Sequence, residues 1–403
     1  MNKICKKLTA FLCGLTACVM TIVGFYSENL PDSFEISEGE NIMINSKNSL
    51  FSVSAKPATN YDKTADCKSG KNSSRKNSTL MLFGKVPIKD VTTKEITRPM
   101  LIPCGQAFGI KLISDGVMFI DTATVEGKSP AQESGIRQGD IIVSINGEKI
   151  RSNEDISEII SNSQGRPCNV LFTRKGNSKE VSLTPVLSSG IYKAGLWVRD
   201  SSAGIGTLTF YDEKTGFFGG LGHPICDSDT KEILPLSKGI AGMVKITGCT
   251  KSYKGNPGQL LGEFTSDDSM GEITSNCENG IFGNLRENPS SQRAIPLGFR
   301  QEIHTGKAEI LSSIDGKEPK KYSVEIEKIN LGENAQHDLV IKVTDPTLIA
   351  KTGGIVQGMS GSPIIQDGRL VGAVTHVFVD DPTMGYGIFA ESMYNQEAVE
   401  KAG

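Results

Sequence analysis

The segment at residues 353–363 reads GGIVQGMSGSP and places Ser360 between Gly358 and Gly361. A serine hydroxyl is a weak nucleophile until a neighbouring base takes its proton. It also has to project from a sharp turn whose backbone N–H groups can face an oxyanion. Glycines on both sides permit such a turn, because they adopt dihedral angles that other residues resist. The segment therefore predicts a nucleophile turn; the alternative is a Gly- and Ser-rich hairpin without chemistry.

The pattern G-x-S-G-x-P at residues 358–363 resembles the nucleophile turn of chymotrypsin-like serine peptidases. This resemblance implies an oxyanion hole made by the backbone of Gly358 and Ser360. From Gly190 onward, short apolar runs alternate with glycine turns, and no helical pattern lasts. We therefore predict an all-β peptidase domain at residues 187–403, built as a chymotrypsin-like double β-barrel.

Length and composition limit the other functions. A chain of 403 residues with 37% apolar residues, 44 glycines and few aromatics suggests two or three domains that are mainly β. The formal net charge of −3 gives no reason to expect a nucleic-acid partner. The sequence has no P-loop, no C-x-x-C pair and no H-E-x-x-H, so we expect no cofactor and no metal. The nine cysteines are spaced singly and predict small buried residues, with one or two disulfides possible.

The N-terminus has the pattern of a membrane segment. Lys3, Lys6 and Lys7 precede the uncharged residues 8–26, which as a helix just span a bilayer core. A cleaved signal peptide and an uncleaved anchor both fit; the absence of an A-x-A-like site before Glu28 favours an anchor at residues 1–26, with the rest of the chain extracytoplasmic. The polar composition that follows predicts a linker at residues 27–98.

Residues 129–147 read SPAQESGIRQGDIIVSING and resemble the signature of bacterial PDZ domains. The pattern predicts a one-turn helix, a strand and a hairpin, followed by a helix at 153–163. The resemblance spans a PDZ-like domain at 99–186 and implies that an extended peptide adds as a strand beside this helix. The alternative is a module that only braces the next domain. The implied peptide-binding residues are Gln106, Ala107, Phe108, Gly109 and Ile110.

Four histidines are available as the base. His223 follows three glycines in FFGGLGHPI, where a tight turn can hold a functional imidazole, and it is the predicted base. His376 lies in the strand after the serine and is the alternative. His304 and His337 occur in polar segments and are predicted to be exposed.

The acid that would orient the base is less well defined by the sequence. Asp345 lies 15 residues before Ser360, at the end of a strand with period-two alternation. The order His223, Asp345, Ser360 agrees with chymotrypsin, whereas the short spacing between acid and serine does not. Asp212 and Asp227 are alternatives, although Asp227 is more simply a turn residue.

The combination of a membrane segment, a PDZ module, G-L-G-H-P and the serine turn resembles the SpoIVB-type serine peptidases of endospore-forming bacteria. The likeness covers residues 1–26 and 99–403. It implies Ser360, His223 and Asp345 as the catalytic residues. It also implies cleavage of the chain itself, within the predicted linker, and of an extracytoplasmic region of a membrane protein that restrains an intramembrane protease. That cleavage activates sigma-factor processing, in the space between the two membranes of the developing spore.

Two other functions stay open from the sequence. A PDZ-bearing scaffold with an inactive peptidase fold is one, but such a copy would often have lost one of the three catalytic residues. An HtrA-like quality-control protease is the other. HtrA proteins carry their PDZ domain after the protease, whereas this chain places it before, which argues against that alternative.

Overall fold

The computed structural model describes residues 3–40, 42–44, 53–57, 75–332 and 337–397. The first element is helix α1, Lys3–Asn29. Its segment Lys7–Asn29 has a mean hydropathy of 2.1 and is not buried against the rest of the chain. At about 1.5 Å per residue this helix is long and apolar enough to cross a membrane. The predicted helix is therefore present, with the length and composition of an anchor or a signal sequence.

A five-stranded sheet follows the helix, in the order β1-β5-β4-β3-β2 with β1 parallel to β5. Phe34, Leu80 and Val91 are buried in its core together with Leu30, the residue directly after the helix. The prediction of a linker is therefore wrong for the described parts of residues 27–98, whereas residues 45–52 and 58–74 lie outside the described residues. The strands are β1 Ser33–Ser37, β2 Met43–Ile44, β3 Val53–Pro57, β4 Arg75–Leu82 and β5 Val86–Ile96.

This N-terminal sheet is attached to the remainder of the chain by polar contacts. Both terminal nitrogens of Arg98 donate to the carboxylate of Glu302 at 2.8 Å, and one of them also donates to Glu40. Gln301 Nε2 donates to the backbone oxygen of Glu35 at 2.6 Å. A bidentate Arg–carboxylate pair fixes orientation as well as adding stability, so the sheet has a defined position against the peptidase domain.

The first of two six-stranded barrels is closed by long-range pairing. Its strands follow the order β7-β16-β17-β18-β15-β14, and the pairing of β14 with β7 closes the ring. Buried Phe108, Leu208 and Phe218 fill its interior. The strands are β6 Met100–Pro103, β7 Ala107–Thr122, β14 Leu196–Tyr211, β15 Phe217–Gly220, β16 Leu236–Thr250, β17 Gln259–Cys277, β18 Gly280–Leu285 and β19 Ile295–Pro296, with β6 and β19 flanking the ring.

The PDZ-like module is inserted between β7 and β14 of this barrel. Residues 107–114 pair only with barrel strands, whereas Val117 and Met118 further along β7 pair with β8 of the module. The predicted boundary at residue 99 therefore places barrel strands within the PDZ-like domain. The module contains α2 Pro130–Glu133, β8 Ile141–Ile145, β9 Glu148–Lys149, α3 Asn153–Asn162, β10 Cys168–Arg174, β11 Asn177–Leu183, β12 Val186–Ser188 and β13 Ile191–Lys193.

The second barrel is closed in the order β20-β21-β22-β25-β24-β23. Ile310, Val324 and Ile364 are among its fully buried residues. With the first barrel it confirms the predicted mainly β fold with a double barrel. After a 3₁₀ turn at Arg300–Glu302, its elements are β20 Gly306–Ser312, β21 Lys320–Ile329, β22 Leu339–Val343, α4 Pro346–Thr352, β23 Pro363–Gln366, β24 Arg369–Val377, β25 Met384–Phe389 and α5 Ala390–Tyr394.

The described cysteines are free thiols. Cys104 and Cys168 are buried, as predicted, but Cys226 is exposed, and Cys249 and Cys277 are half-buried. Burial raises the pKa of the Cys104 thiol well above its ordinary value. Cys13 and Cys18 in α1 are exposed as well, so the prediction that most of the cysteines are buried is wrong for five of the seven cysteines whose side chains the structure describes.

Candidate active site

The serine turn joins the two barrels. Gly358 and Gly361 have φ angles of +96°, and a Cβ on Gly361 would lie 1.9 Å from the backbone oxygen of Thr207. Thr207 in β14 donates its N–H to the oxygen of Ser360 at 2.9 Å and its hydroxyl to the oxygen of Gly358 at 2.7 Å. Thr209 donates to the oxygen of Gly361 at 2.7 Å. The turn therefore belongs to the second barrel but is held by the first.

Two backbone donors of this turn remain available. In the part of the chain that the structure describes, the N–H groups of Gly358 and Ser360 donate to no protein acceptor. The half-buried Ser360 hydroxyl donates to the backbone oxygen of Thr375 at 2.6 Å. The turn thus presents one hydroxyl beside two unused N–H groups.

The His223 turn lies against the serine turn. Leu221 and Gly222 have φ angles of +64° and +70°, so two successive left-handed residues turn the chain sharply before the imidazole. The N–H of Leu221 donates to Thr207, the same residue that holds Ser360. A Cβ on Gly222 would lie 3.0 Å from the Thr375 side chain. Thr207 and Thr375 therefore bring the two predicted catalytic residues into one site.

Ser360 and His223 each form a hydrogen bond to a backbone oxygen rather than to each other. Among the described residues no hydrogen bond joins the Ser360 hydroxyl to His223, whose Nδ1 lies 2.9 Å from the backbone oxygen of Pro224. Catalytic hydrogen bonds are often long or unformed without substrate. Because a carbonyl oxygen only accepts, the Nδ1 carries the proton and the Nε2 of a neutral ring keeps its lone pair.

Three histidines gather at this place. The rings of His223 and His376 have centroids 4.5 Å apart, and His337 lies 6.3 Å from His376 while stacking on Tyr386 at 3.6 Å. Burial lowers the pKa of His223 and of His337. The His376 side chain is exposed, but partial desolvation of its ring and then the neighbouring imidazoles lower its pKa to about 4. His337 is half-buried, so the prediction that it is exposed is wrong.

The structure does not bring Asp345 to this cluster. One carboxylate oxygen accepts from the N–H groups of Thr347 and Leu348 at 2.9 and 3.0 Å, as the N-cap of α4. The other lies 3.4 Å from the N–H of Ser323. Asp345 lies two residues after the end of β22 and His337 two residues before its start, and the five-residue strand between them alone spans roughly 13 Å at about 3.3 Å per residue.

The other predicted side chains have structural partners. Asp212 accepts from the N–H of Lys214, and Asp227 is buried in its turn and paired with Arg199. His304, predicted to be exposed, is buried at 9% exposure and its Nε2 lies 2.8 Å from Asp367. Its polar sequence neighbours gave no sign of this pairing, because the carboxylate comes from the distant β23–β24 hairpin.

The predicted peptide-binding residues have no free edge. Residues 108–110 pair with β14 on one side and with β16 on the other, Ala107 pairs with β14, and the oxygen of Gln106 accepts from the N–H of Leu208. A peptide cannot add as a strand where both edges are already paired. The placement of the peptide groove on Gln106, Ala107, Phe108, Gly109 and Ile110 is therefore wrong.

A free edge occurs elsewhere in the PDZ-like module. Residues 196–199 of β14 pair with β7 on one side, and within the described chain no strand pairs with their other edge. Helix α3 is tied to this strand, because the N–H of Asn153 donates to Asp200 at 3.0 Å. Trp197 is 66% exposed, while Leu196 and Val198 pack on the module's core together with Ile159 of α3. Strand and helix thus have the arrangement that peptide addition needs.

Comparison with curated proteins finds relatives of part of the chain. A "Putative zinc metalloprotease" of Lactococcus lactis is 32% identical over 94 residues, which are 23% of this chain and 21% of that protein. Another protein of that name, from Clostridium acetobutylicum, is 28% identical over 166 residues, or 39% and 45% of the two chains. This chain thus spans less than half the length of these relatives.

A solved structure also matches in part. The PDZ domain of an SdrC-like protein from Listeria monocytogenes is 21% identical, with a TM-score of 0.18, and the match covers 21% of this chain and 87% of that domain. Among family models, the PDZ domain matches residues 123–174. The SpoIVB peptidase S55 model matches residues 190–394, half of the chain, which include the serine turn and all four histidines. The chain therefore belongs to the SpoIVB peptidase S55 family.

Proposed function

We propose that the chain is a serine endopeptidase in which Ser360 is the nucleophile and His223 the general base. The observation that supports this most is the convergence of the two turns, since Thr207 bonds both of them and Thr375 contacts both. The unused N–H groups of Gly358 and Ser360 support a role as the oxyanion hole.

The chemistry follows from these groups. The Nε2 of His223 takes the proton of the Ser360 hydroxyl as its oxygen attacks the substrate carbonyl. The carbonyl oxygen becomes an oxyanion next to the N–H groups of Gly358 and Ser360. His223 then gives the proton to the leaving amine, and water, activated by the same imidazole, hydrolyses the acyl-enzyme. Before attack, the hydroxyl has to leave its bond to the oxygen of Thr375.

A fluorophosphonate probe tests this proposal directly. We expect the probe to label the purified chain, and peptide mapping to place the label on Ser360, because only an activated serine reacts quickly. The Ser362→Ala variant should be labelled at the wild-type rate. A chain that stays unlabelled, or that is labelled elsewhere, would support a scaffold with an inactive peptidase fold instead.

Asp345 is expected to act through the helix it caps. Asn is as good an N-cap as Asp, so Asp345→Asn should keep most of the stability and kcat within about threefold. Asp345→Ala should lose about 1 kcal/mol of stability, as is typical for a lost N-cap. Thermal unfolding and peptide hydrolysis of both variants provide the measurement.

A role of Asp345 as the catalytic acid predicts a different result for the same variants. If it is the acid that orients His223, the Asn variant should lose about 10⁴-fold in kcat with normal stability. That result would mean that α4 rearranges when substrate binds and delivers the carboxylate to the imidazole. Asp212→Asn, which changes a carboxylate in a turn of the first barrel, is the matched control for loss of charge.

The residue before the scissile bond is expected to be uncharged. In chymotrypsin-like peptidases the residue six positions before the nucleophile lies at the base of the primary pocket; by this count from Ser360 that residue is Gly354, and its neighbour Ile355 is buried. Phe378 and Tyr386, with ring centroids 4.5 Å apart, form an aromatic wall nearby. Asp381 accepts from the N–H and hydroxyl of Thr383, which holds its carboxylate in its own turn. None of these residues offers a free carboxylate to a basic side chain of the substrate.

Profiling a peptide library with the purified chain measures this preference. We expect small or medium apolar side chains before the cleaved bond, and the same profile from Asp380→Asn. A dominant preference for Lys or Arg that disappears in Asp380→Asn would show that the exposed Asp380 reaches the pocket and that the count from Ser360 is wrong.

The physiological role that we propose rests on the family. The chain would be anchored by α1 with its remainder outside the cytoplasm, between the two membranes of the developing spore. There it would cleave itself and then the extracytoplasmic region of a membrane-bound regulator of an intramembrane protease. Self-cleavage is expected between Glu28 and Arg98. This range includes segments 45–52 and 58–74, which lie outside the described residues.

A second function, peptide binding, is supported by the free edge at residues 196–199. An extended peptide could pair with this edge and place alternate side chains towards α3. Because β14 continues from this edge to Thr207, the module and the serine turn share one strand. Isothermal titration of an extended peptide against wild type and Trp197→Ala tests this, because the exposed Trp197 side chain lies on the edge strand and would contact an added strand.

A further inference from the structure

His223 has no acid beside it in the part of the chain that the structure describes. Its Nδ1 lies at the oxygen of Pro224, and among the described residues no ion pair or hydrogen bond joins His223, His337 or His376 to a carboxylate. In a Ser-His-Asp triad the acid fixes the tautomer, orients the ring and stabilises the imidazolium. A backbone oxygen can fix the tautomer, but orienting the ring and stabilising the imidazolium need a further group.

The group that lies against His223 is the imidazole of His376. The two ring centroids are 4.5 Å apart and the planes are inclined by 36°. This distance is that of aromatic pairs in contact, and it lies within the range over which a cation is attracted to a ring face. A neutral ring in this place restricts rotation of His223 and faces the positive charge that develops on it during the reaction.

A β-bulge holds His376 in this place. Val374 pairs with Gly387 and Val377 with Gly385, so Thr375 and His376 lie opposite the single residue Tyr386. A bulge re-aims side chains and is common next to active sites. It turns the oxygen of Thr375 to the Ser360 hydroxyl and the ring of His376 to His223.

We propose that His376 is the positioning residue of the catalytic base: its ring, rather than its nitrogens, holds His223 and stabilises the imidazolium by stacking. The proposal rests on the proposed function, in which Ser360 and His223 perform the chemistry. His337 and Tyr386 are the other titratable groups that face this pair, and they stack on each other behind His376.

The titration of His376 agrees with this role. Its pKa of about 4 keeps the ring neutral at neutral pH, so it adds no like charge beside the imidazolium. Because the ring face stabilises the charged imidazolium, removing it should lower the pKa of His223 still further below the ordinary imidazole value.

Two substitutions distinguish the contribution of the His376 ring face from that of its nitrogen atoms. His376→Ala should lower kcat about 3- to 30-fold, as expected for loss of a stacked cation, and should shift the acid limb of the pH profile of kcat/KM to lower pH. His376→Phe restores an aromatic face without a titratable nitrogen. It should recover most of kcat and the wild-type acid limb. The wild type, both variants and Ser360→Ala are assayed on one peptide substrate.

Each outcome decides the proposal. Equal losses in His376→Phe and His376→Ala would mean that an imidazole nitrogen is required, which overturns the proposal. A His376→Ala variant with wild-type kcat and an unchanged acid limb would also overturn it, while an inactive Ser360→Ala shows that the proposed function stands. If Ser360→Ala keeps its activity, the proposed function itself is wrong.

Discussion

Ser360→Ala is expected to abolish peptide-bond cleavage and to leave the fold intact. Without the hydroxyl no acyl-enzyme can form, and removal of the nucleophile lowers kcat by about four to six orders of magnitude. The folded state loses one hydrogen bond, from the half-buried hydroxyl to the oxygen of Thr375, worth about 1 kcal/mol. Hydrolysis of a peptide substrate and self-processing of the purified chain measure the effect.

Ser362→Ala is the matched control for this experiment. Its hydroxyl lies two residues away, is buried, and donates to the hydroxyl of Ser312 at 3.1 Å rather than facing the cleft. The control should lose about 1 kcal/mol of stability and keep its kcat. If pure Ser360→Ala still processed itself, or if Ser362→Ala were the inactive variant, the assignment of the nucleophile would be wrong.

His223→Ala is expected to have a comparably large effect, a loss of about four to six orders of magnitude in kcat. The base works only when neutral, and burial lowers its pKa below the ordinary imidazole value of 6.5. In the wild type, the midpoint of the acid limb of kcat/KM should therefore lie below pH 6.5. The pH profile of peptide hydrolysis, together with kcat of the variant, tests both statements.

His304→Ala controls for the loss of a histidine. His304 is buried and paired with Asp367, so the variant should be less stable, but its kcat should be unchanged well below its melting temperature. An inactive His376→Ala beside an active His223→Ala would exchange the roles of the two imidazoles and make His376 the base.

Several features followed from the sequence because they depend on neighbouring residues. The left-handed turns at Gly358 and Gly361 are predicted by the glycines, because glycine adopts positive φ angles without strain. The hairpin turn at Asn146 and Gly147 has the positive φ angles that this dipeptide predicts. Helix α1 follows from a continuous apolar run, which needs no distant partner to form.

Other features depend on which strands pair, and the local sequence pattern does not predict that pairing. A strand paired on both edges and a strand that leaves one edge for a peptide have the same alternation, so residues 108–110 were assigned to a peptide groove although two barrel strands cover them. The N-terminal sheet was missed because β1 pairs with β5 across more than fifty residues, and the polar composition between them masked the apolar residues that it buries.

The candidate site shows the same division. The sequence by itself determined the serine turn, the His223 turn and the β-rich domain that contains them, since glycine spacing and strand alternation are local properties. Only the tertiary structure decided that His376 and His337 join His223 and that the PDZ-like module is inserted within the first barrel. The physical reason is that these contacts join residues far apart in the chain, and long-range pairing is set by closure of the barrels rather than by any one segment.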